Sequence, residues 1–208
     1  MEMLPPGQQA YLEEKAQRIA NLRQSLTELY PERTPLVLEL GCGHGHFLAS
    51  YAEAHPELKF LGIDLVSRRI QLARGKAIRR NLKNLAFLKA EASELLSALP
   101  STVRVKAVFM LFPDPWPKQR HWKNRMVQRP LLQALHEKLF PEGRFFFRTD
   151  HQGYFEWSRQ MIQETDGWAF RECGQWPHEV ETIFQKITGG QYHSLIVEAI
   201  KRPQFERA

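Results

Sequence analysis

Glu39-Leu40-Gly41-Cys42-Gly43-His44-Gly45 is the stretch on which the fold turns. An apolar run at 36–40 leads into it and a helix-like run at 46–54 leaves it, so the glycines occupy a strand-to-helix turn. Glycine there permits tight curvature and lets backbone N–H groups approach a ligand closely. A dinucleotide-binding loop, G-x-G-x-x-G, requires its third glycine at position 46, where this chain has His46. The spacing therefore disfavours a nicotinamide dehydrogenase.

Outward from that turn the chain alternates. Strand-like runs lie at 36–40, 60–65, 85–89, 105–112 and 144–149, and helix-like runs at 46–54, 67–81, 91–98, 129–139 and 154–165. Such alternation predicts an α/β fold, a parallel sheet with helices on both faces. Residues 8–30 read as a polar helix, with Leu12, Ile19, Leu22, Leu26 and Leu29 near helical spacing and Pro31 ending it. Past Gly167 come two more strand candidates, 168–172 and 194–200, separated by a polar loop holding Trp176, Pro177 and His178. They suit an antiparallel hairpin closing the sheet edge, so the sheet is mostly parallel with an antiparallel C-terminal strand. With no repeat, low-complexity segment or linker, the expectation is one domain over 1–208, with 1–30 as an N-terminal helical extension.

Hydrophobic residues make up 43% of the 208-residue chain, too many for disorder, and no apolar run spans a bilayer. The start carries Pro5, Pro6 and polar residues rather than the apolar stretch of a secretory signal. Cys42 and Cys173 are the only cysteines, too few to staple the domain. A cytoplasmic protein is expected. His44 and His46 lie beside Cys42, but nothing else at ligand spacing joins them, so no metal is expected. The formal charge of +6 fits a polyanionic partner and equally a merely basic soluble enzyme, so the distribution of the cations has to decide.

Glu39-x-Gly41-x-Gly43-x-Gly45 resembles the first motif of class I S-adenosylmethionine-dependent methyltransferases, whose Rossmann-like fold matches the alternation above. Their cofactor has no pyrophosphate, so a carboxylate before the loop is tolerated. Phe60-Leu61-Gly62-Ile63-Asp64 ends in an acid where a ribose-binding carboxylate should stand. Glu91, just past the strand 85–89, is placed to meet the adenine end. Glu39, Gly41, Gly43, Asp64 and Glu91 are thus the expected cofactor contacts.

Pro113-Asp114-Pro115-Trp116-Pro117 follows the fourth strand directly. Carboxyl ends of strands form the ligand crevice in an open α/β sheet, and an acid between two prolines is held rigidly there. Lys118, Arg120, His121, Lys123, Arg125 and Arg129 come next, with Trp116 and Trp122 interleaved. Cations suit phosphates and flat aromatics suit unstacked bases, so this run is expected to touch RNA. Arg69, Lys76, Arg80 and Lys83 share a second helical face by spacing, either an extension of that footprint or a solvated surface.

The run 112–118 followed by Arg120-His121-Trp122-Lys123 resembles the tRNA (guanine-N7-)-methyltransferases of the TrmB family, which methylate a guanine in the tRNA variable loop, guanine 46. Thr149-Asp150 and Thr182-Ile183-Phe184-Gln185 match that family's later motifs, and the resemblance covers roughly residues 35–200. It implies that Asp114 is catalytic and also contacts the cofactor. It implies further that Lys118, Asp150, Thr182, Ile183, Phe184 and Gln185 meet the substrate, and that Arg120, His121, Trp122, Lys123, Asn124 and Arg125 touch RNA. No obligate protein partner is evident, whether the protein is monomer or homodimer. The chain departs from the family pattern at Asp64 (often Glu), at Asn124 (usually basic) and at Gln185 (a glutamate in the family).

Guanine N7 carries an in-plane lone pair and no proton at neutral pH, so its methylation requires alignment rather than a general base. Asp114 and Asp150 are the candidates for stabilising the charge that develops on the base and for accepting from guanine N1–H and the exocyclic amine. Which does which is open. The rival readings are a class I methyltransferase for another nucleobase or a small molecule, and a catalytically inactive RNA-binding protein on the same scaffold.

Overall fold

The computed structural model describes residues 5–171, 174–179 and 191–200. The candidate segment Thr182, Ile183, Phe184 and Gln185 lies outside them. The chain runs α1 (Pro6–Leu29), β1 (Thr34–Leu40), α2 (His46–Ala54), β2 (Lys59–Asp64), α3 (Ser67–Arg79), β3 (Leu85–Lys89), α4 (Ala92–Ala98) and β4 (Val103–Leu111). A 3-10 helix at Gln119–Asn124 follows, then α5 (Arg129–Lys138), β5 (Leu139–Thr149), α6 (Gln152–Gln163), β6 (Trp168–Phe170) and β7 (His193–Ala199).

The strand order is β3-β2-β1-β4-β5-β7-β6. Neighbours from β3 to β5 pair in parallel, while β7 is antiparallel to both β5 and β6. The expected terminal pair therefore exists, with β7 rather than β6 inserted next to β5. Strand order reverses between β1 and β4, which opens a crevice outside their carboxyl ends.

Alternation along the strands divides the core. Leu36, Leu38, Val105, Val108, Phe145 and Phe147 pack with Leu26 of α1 and Tyr30 just past it, Leu95 and Leu96 of α4, and Leu132 and Leu135 of α5. Val37, Phe60, Phe109 and Phe146 pack with Phe47, Leu48 and Tyr51 of α2 and with Ile70 and Ala73 of α3. Each large side chain taken fully out of water there contributes roughly 1.5–3 kcal/mol. Helix α1 is fastened to the second layer by polar contacts too. Arg18 Nη2 donates to Glu94 Oε1 at 2.7 Å and Arg23 Nη2 to the Ser97 carbonyl at 2.9 Å. No helix among the described residues is long and apolar enough to cross a membrane.

Several expected boundaries move by one or two residues and one by five, and two of the moves have a visible cause. The helix drawn over 67–81 ends at Arg79, because Asn81 takes a φ of 53° and turns the chain. Lys83 lies beyond the helix and is exposed, while the other three cations of the basic face meet partners from neighbouring elements. Arg69 Nη1 lies 3.5 Å from Asp64, Lys76 Nζ donates to the His44 carbonyl at 2.7 Å, and Arg80 Nη1 donates to Glu53 at 3.0 Å. Strand β5 starts at Leu139, five residues before the expected 144, because Leu139 already pairs with Val105 across a register shift.

Candidate active site

The glycine loop is tied to β2. Both Gly41 N and Cys42 N donate to the Ile63 carbonyl, at 2.9 and 2.8 Å, so the chain turns sharply off β1. Gly43 has a φ of 53°, and a Cβ there would meet nothing within 4 Å. The same open space faces Gly41. Gly45 is glycine for the opposite reason. A Cβ on it would come within 2.5 Å of the Phe87 ring, so it sets the close packing of α2 against the sheet.

Glu39, the last but one residue of β1, is 3% exposed, and its Oε2 has no hydrogen-bond partner among the described residues. Burial, and next the nearby Asp64 charge, push its carboxyl up to about 8, opposed by the Lys76 ammonium. An orphaned acid beside two glycines open to solvent fits a ligand that carries positive charge and N–H or O–H donors. S-adenosylmethionine carries both. Asp64 sits at the end of β2, 6% exposed, where Oδ2 accepts from Gly43 N at 3.1 Å and Oδ1 from Val66 N at 2.8 Å. It holds the loop's shape, and its free lone pairs remain able to accept from ribose hydroxyls.

Glu91 stands past β3 and caps α4, accepting from Ser93 N at 3.1 Å and Glu94 N at 3.2 Å. That capping role was invisible in the sequence reading, which looked only outward from the strand end. Lys76 was also missed as part of this site. Its Nζ reaches the loop at His44, and burial, ahead of the charges of Arg80 and Arg79, lowers its ammonium to about 8.

Asp114 is exposed at the carboxyl end of β4, and Asp150 is exposed at the end of β5. The loop carrying Asp114 is forced into shape. Phe112 and Trp116 both take left-handed backbone, φ 50° and 45°, a costly conformation for large side chains. Phe112 N donates to the Arg148 carbonyl at 2.8 Å, and Arg125 Nε donates to the Pro115 carbonyl at 2.9 Å.

The basic run splits in two. Lys118, Arg120, Lys123 and Asn124 are exposed, and His121 and Trp122 are half-buried on the 3-10 helix beside them. Arg125 is a correction to the sequence reading. It is 3% exposed, packed at 4.7, 5.1 and 5.4 Å over the rings of Trp122, Tyr154 and Trp157, and so turned away from any RNA at the surface.

A further buried cation, Arg148 of β5, went unnoticed because it lies inside a strand pattern. It donates to Glu179 at 2.6 and 3.0 Å and to Ser194 Oγ at 3.1 Å, and stacks 3.7 Å over Trp176. The segment 174–179 is thereby held over the α2 face of the sheet. His178 stacks parallel on Tyr51 at 4.9 Å and pairs with Ser50 Oγ at 3.0 Å.

A doubly wound sheet with a glycine loop, an orphaned acid and a second acid at the neighbouring strand end defines a class I S-adenosylmethionine-dependent methyltransferase. Solved structures share the fold. The 16S rRNA methyltransferase KamB aligns with a TM-score of 0.62 at 18% identity, covering 84% of this chain and 92% of that one. TrmN from Thermus thermophilus aligns with a TM-score of 0.59 at 22% identity, covering 86% and 48%. A family model described as "Putative methyltransferase" matches residues 33–195. The tRNA (guanine-N(7)-)-methyltransferase of Rubrobacter xylanophilus is 34% identical over 188 residues, 87% of this chain and 81% of that protein. The chain belongs to the tRNA (guanine-N(7)-)-methyltransferase family. The enzyme of the same name from Chromohalobacter salexigens is 33% identical over 150 residues, and that match spans 72% of this chain but 61% of the relative.

Proposed function

We propose that the protein transfers the methyl group of S-adenosylmethionine to N7 of a guanine in tRNA, at guanine 46 of the variable loop. It does so in the cytoplasm as one domain over 1–208, with 1–30 as a helical extension. It needs no obligate protein partner, whether monomer or homodimer. The observation that carries this reading is Asp114, exposed at the topological switch point on a loop whose backbone is pinned on both sides. The name borne by the relatives supports tRNA as substrate and N7 as the acceptor atom.

Bound S-adenosylmethionine supplies an electrophilic methyl on a sulfonium. Glu39, Gly41, Gly43, Asp64 and Glu91 line the cofactor's side, with Asp114 where the two ligands meet. No residue has to remove a proton, because N7 has none. What the protein contributes is alignment and charge. Asp114 and Asp150, fixed at adjacent strand ends, stabilise the cation that forms on the base and accept from its N1–H and amino group. Lys118, with Thr182, Ile183, Phe184 and Gln185, completes the substrate side. Arg120, His121, Trp122, Lys123 and Asn124 face the RNA backbone and unstacked bases.

The test is incubation with methyl-labelled S-adenosylmethionine and unmodified tRNA transcript, followed by digestion to nucleosides. Label is expected in 7-methylguanosine, and a transcript with adenine at position 46 should take up none. Label in another nucleoside, or none with the unaltered transcript, would refute the reading.

A further inference from the structure

Arg125 belongs to a basic run but behaves unlike it. Its guanidinium is buried, and its hydrogen bonds go to two carbonyls, one in a loop and one at the start of a helix. Nε donates to Pro115 at 2.9 Å, in the loop that carries Asp114, and Nη1 donates to Gly153 at 3.2 Å, in the first turn of α6 just past Asp150. One planar cation thus joins the backbone beside Asp114 to the first turn of the helix that follows Asp150, the acids exposed at the β4 and β5 strand ends. A guanidinium does this well because its donors are fixed in a rigid fork, whereas an ammonium on a flexible stem is a point charge.

The surroundings fix the cation in turn. The rings of Trp122, Tyr154 and Trp157 lie against it, and such contacts gain strength when water is excluded. Tyr154 Oη accepts from Met126 N at 3.0 Å and Val127 N at 3.2 Å, and Trp157 Nε1 donates to the Val127 carbonyl at 2.9 Å. Gln128 Nε2 closes the back of the 3-10 helix by donating to the carbonyls of Lys123 and Arg125, at 2.8 and 2.9 Å. Helix α6, the basic 3-10 helix and the Pro-Asp-Pro loop therefore share one buried node.

We propose that Arg125 is a positioning residue: it sets the separation of the Asp114 and Asp150 loops and ties both to the exposed helix that bears Arg120 and Lys123. RNA phosphates are met by Arg120 and Lys123, and Arg125 transmits that seating to the acids without touching the RNA. The inference rests on the reading of Asp114 and Asp150 as the substrate-side acids. A displacement of about 1 Å at such a site can cost about a hundred-fold in rate.

The test compares wild type with Arg125→Ala, Arg125→Lys and the double variant Arg120→Ala/Lys123→Ala. Methylation kinetics on tRNA are combined with amide hydrogen exchange of the protein alone. Arg125→Ala should lose about a hundred-fold in kcat. Its KM for S-adenosylmethionine should stay within about two-fold, and the salt dependence of its tRNA binding should match wild type. Arg125→Lys, which can reach one carbonyl but not both, should recover part of kcat. The double variant should do the reverse, weakening tRNA binding and flattening its salt dependence because fewer counterions are released. In Arg125→Ala, exchange should quicken together at Asp114 to Lys118 and at His151 to Phe155.

A wild-type kcat in Arg125→Ala with a flattened salt dependence would make Arg125 a phosphate ligand and overturn the proposal. Faster exchange in its own segment alone would overturn it as well. If Arg125→Ala failed to fold, Arg125→Lys would decide by the same two readouts. Wild type that methylates no tRNA would instead refute the functional reading, and the exchange at the two loops would still decide the role of Arg125.

Discussion

The two halves of the crevice treat their acids in opposite ways. At the ends of β1 and β2, Glu39 and Asp64 are 3% and 6% exposed, and the glycine loop is wrapped around them. At the ends of β4 and β5, Asp114 and Asp150 stand in the open, and the rigidity comes from behind, through buried Arg125 and Arg148. The contrast fits the division of ligands proposed above. A small ligand is gripped best by a dry, preformed cradle that it completes. A polymer has to enter and leave, so its contacts stay exposed while the backbone beneath them is fixed.

The largest way to break this comparison is to fill the cradle. A Cβ at Gly43 meets no protein atom within 4 Å, so Gly43→Val is directed into the ligand's space, at a backbone strain of roughly 1–2 kcal/mol at its positive φ. The variant should fold and still bind tRNA, yet lose measurable S-adenosylmethionine binding by calorimetry. Unchanged cofactor affinity in the folded variant would remove the loop from the site.

A smaller effect sharpens the dry side of the contrast. The unfolded chain ionises Glu39 near the ordinary carboxylate value of 4.5, whereas burial, helped by Asp64, holds its proton in the folded state to about 8. The raised value means that this acid's contribution to stability is complete below about 4.5 and is lost as pH rises to about 8. Glu39→Gln removes the titration. Thermal melts between pH 5 and 8 should therefore show wild type losing more stability with rising pH than the variant. Parallel curves would mean that Glu39 is ionised throughout and not dry.

Much of this was legible before any coordinates. Helix α2 runs over His46–Ala54 and β3 over Leu85–Lys89 as expected, because Gly45 and Pro56 bracket the helix and a short apolar run between polar residues marks the strand. The Asp114 loop could be placed because proline punctuates a strand end unambiguously. The failures share a cause. Charge along a sequence does not say which cations are solvated, and Arg125 is buried by Tyr154 and Trp157, which lie about thirty residues further along the chain. Arg148 sits in an apolar strand and meets Glu179 and Ser194 only through the return of the chain to form β7. The basic face around α3 is partly neutralised because Arg69, Lys76 and Arg80 each meet a partner from another element, while Lys83 stays exposed.

The most direct test of the divided crevice is the single-turnover rate of methyl transfer in Asp114→Asn, measured with cofactor and tRNA both saturating. The substitution keeps size and removes charge at an exposed position, so the cradle around Glu39 and Asp64 is left intact. The account predicts a loss of roughly a hundred-fold in that rate, with S-adenosylmethionine still bound, unlike in Gly43→Val. A rate equal to wild type would contradict it.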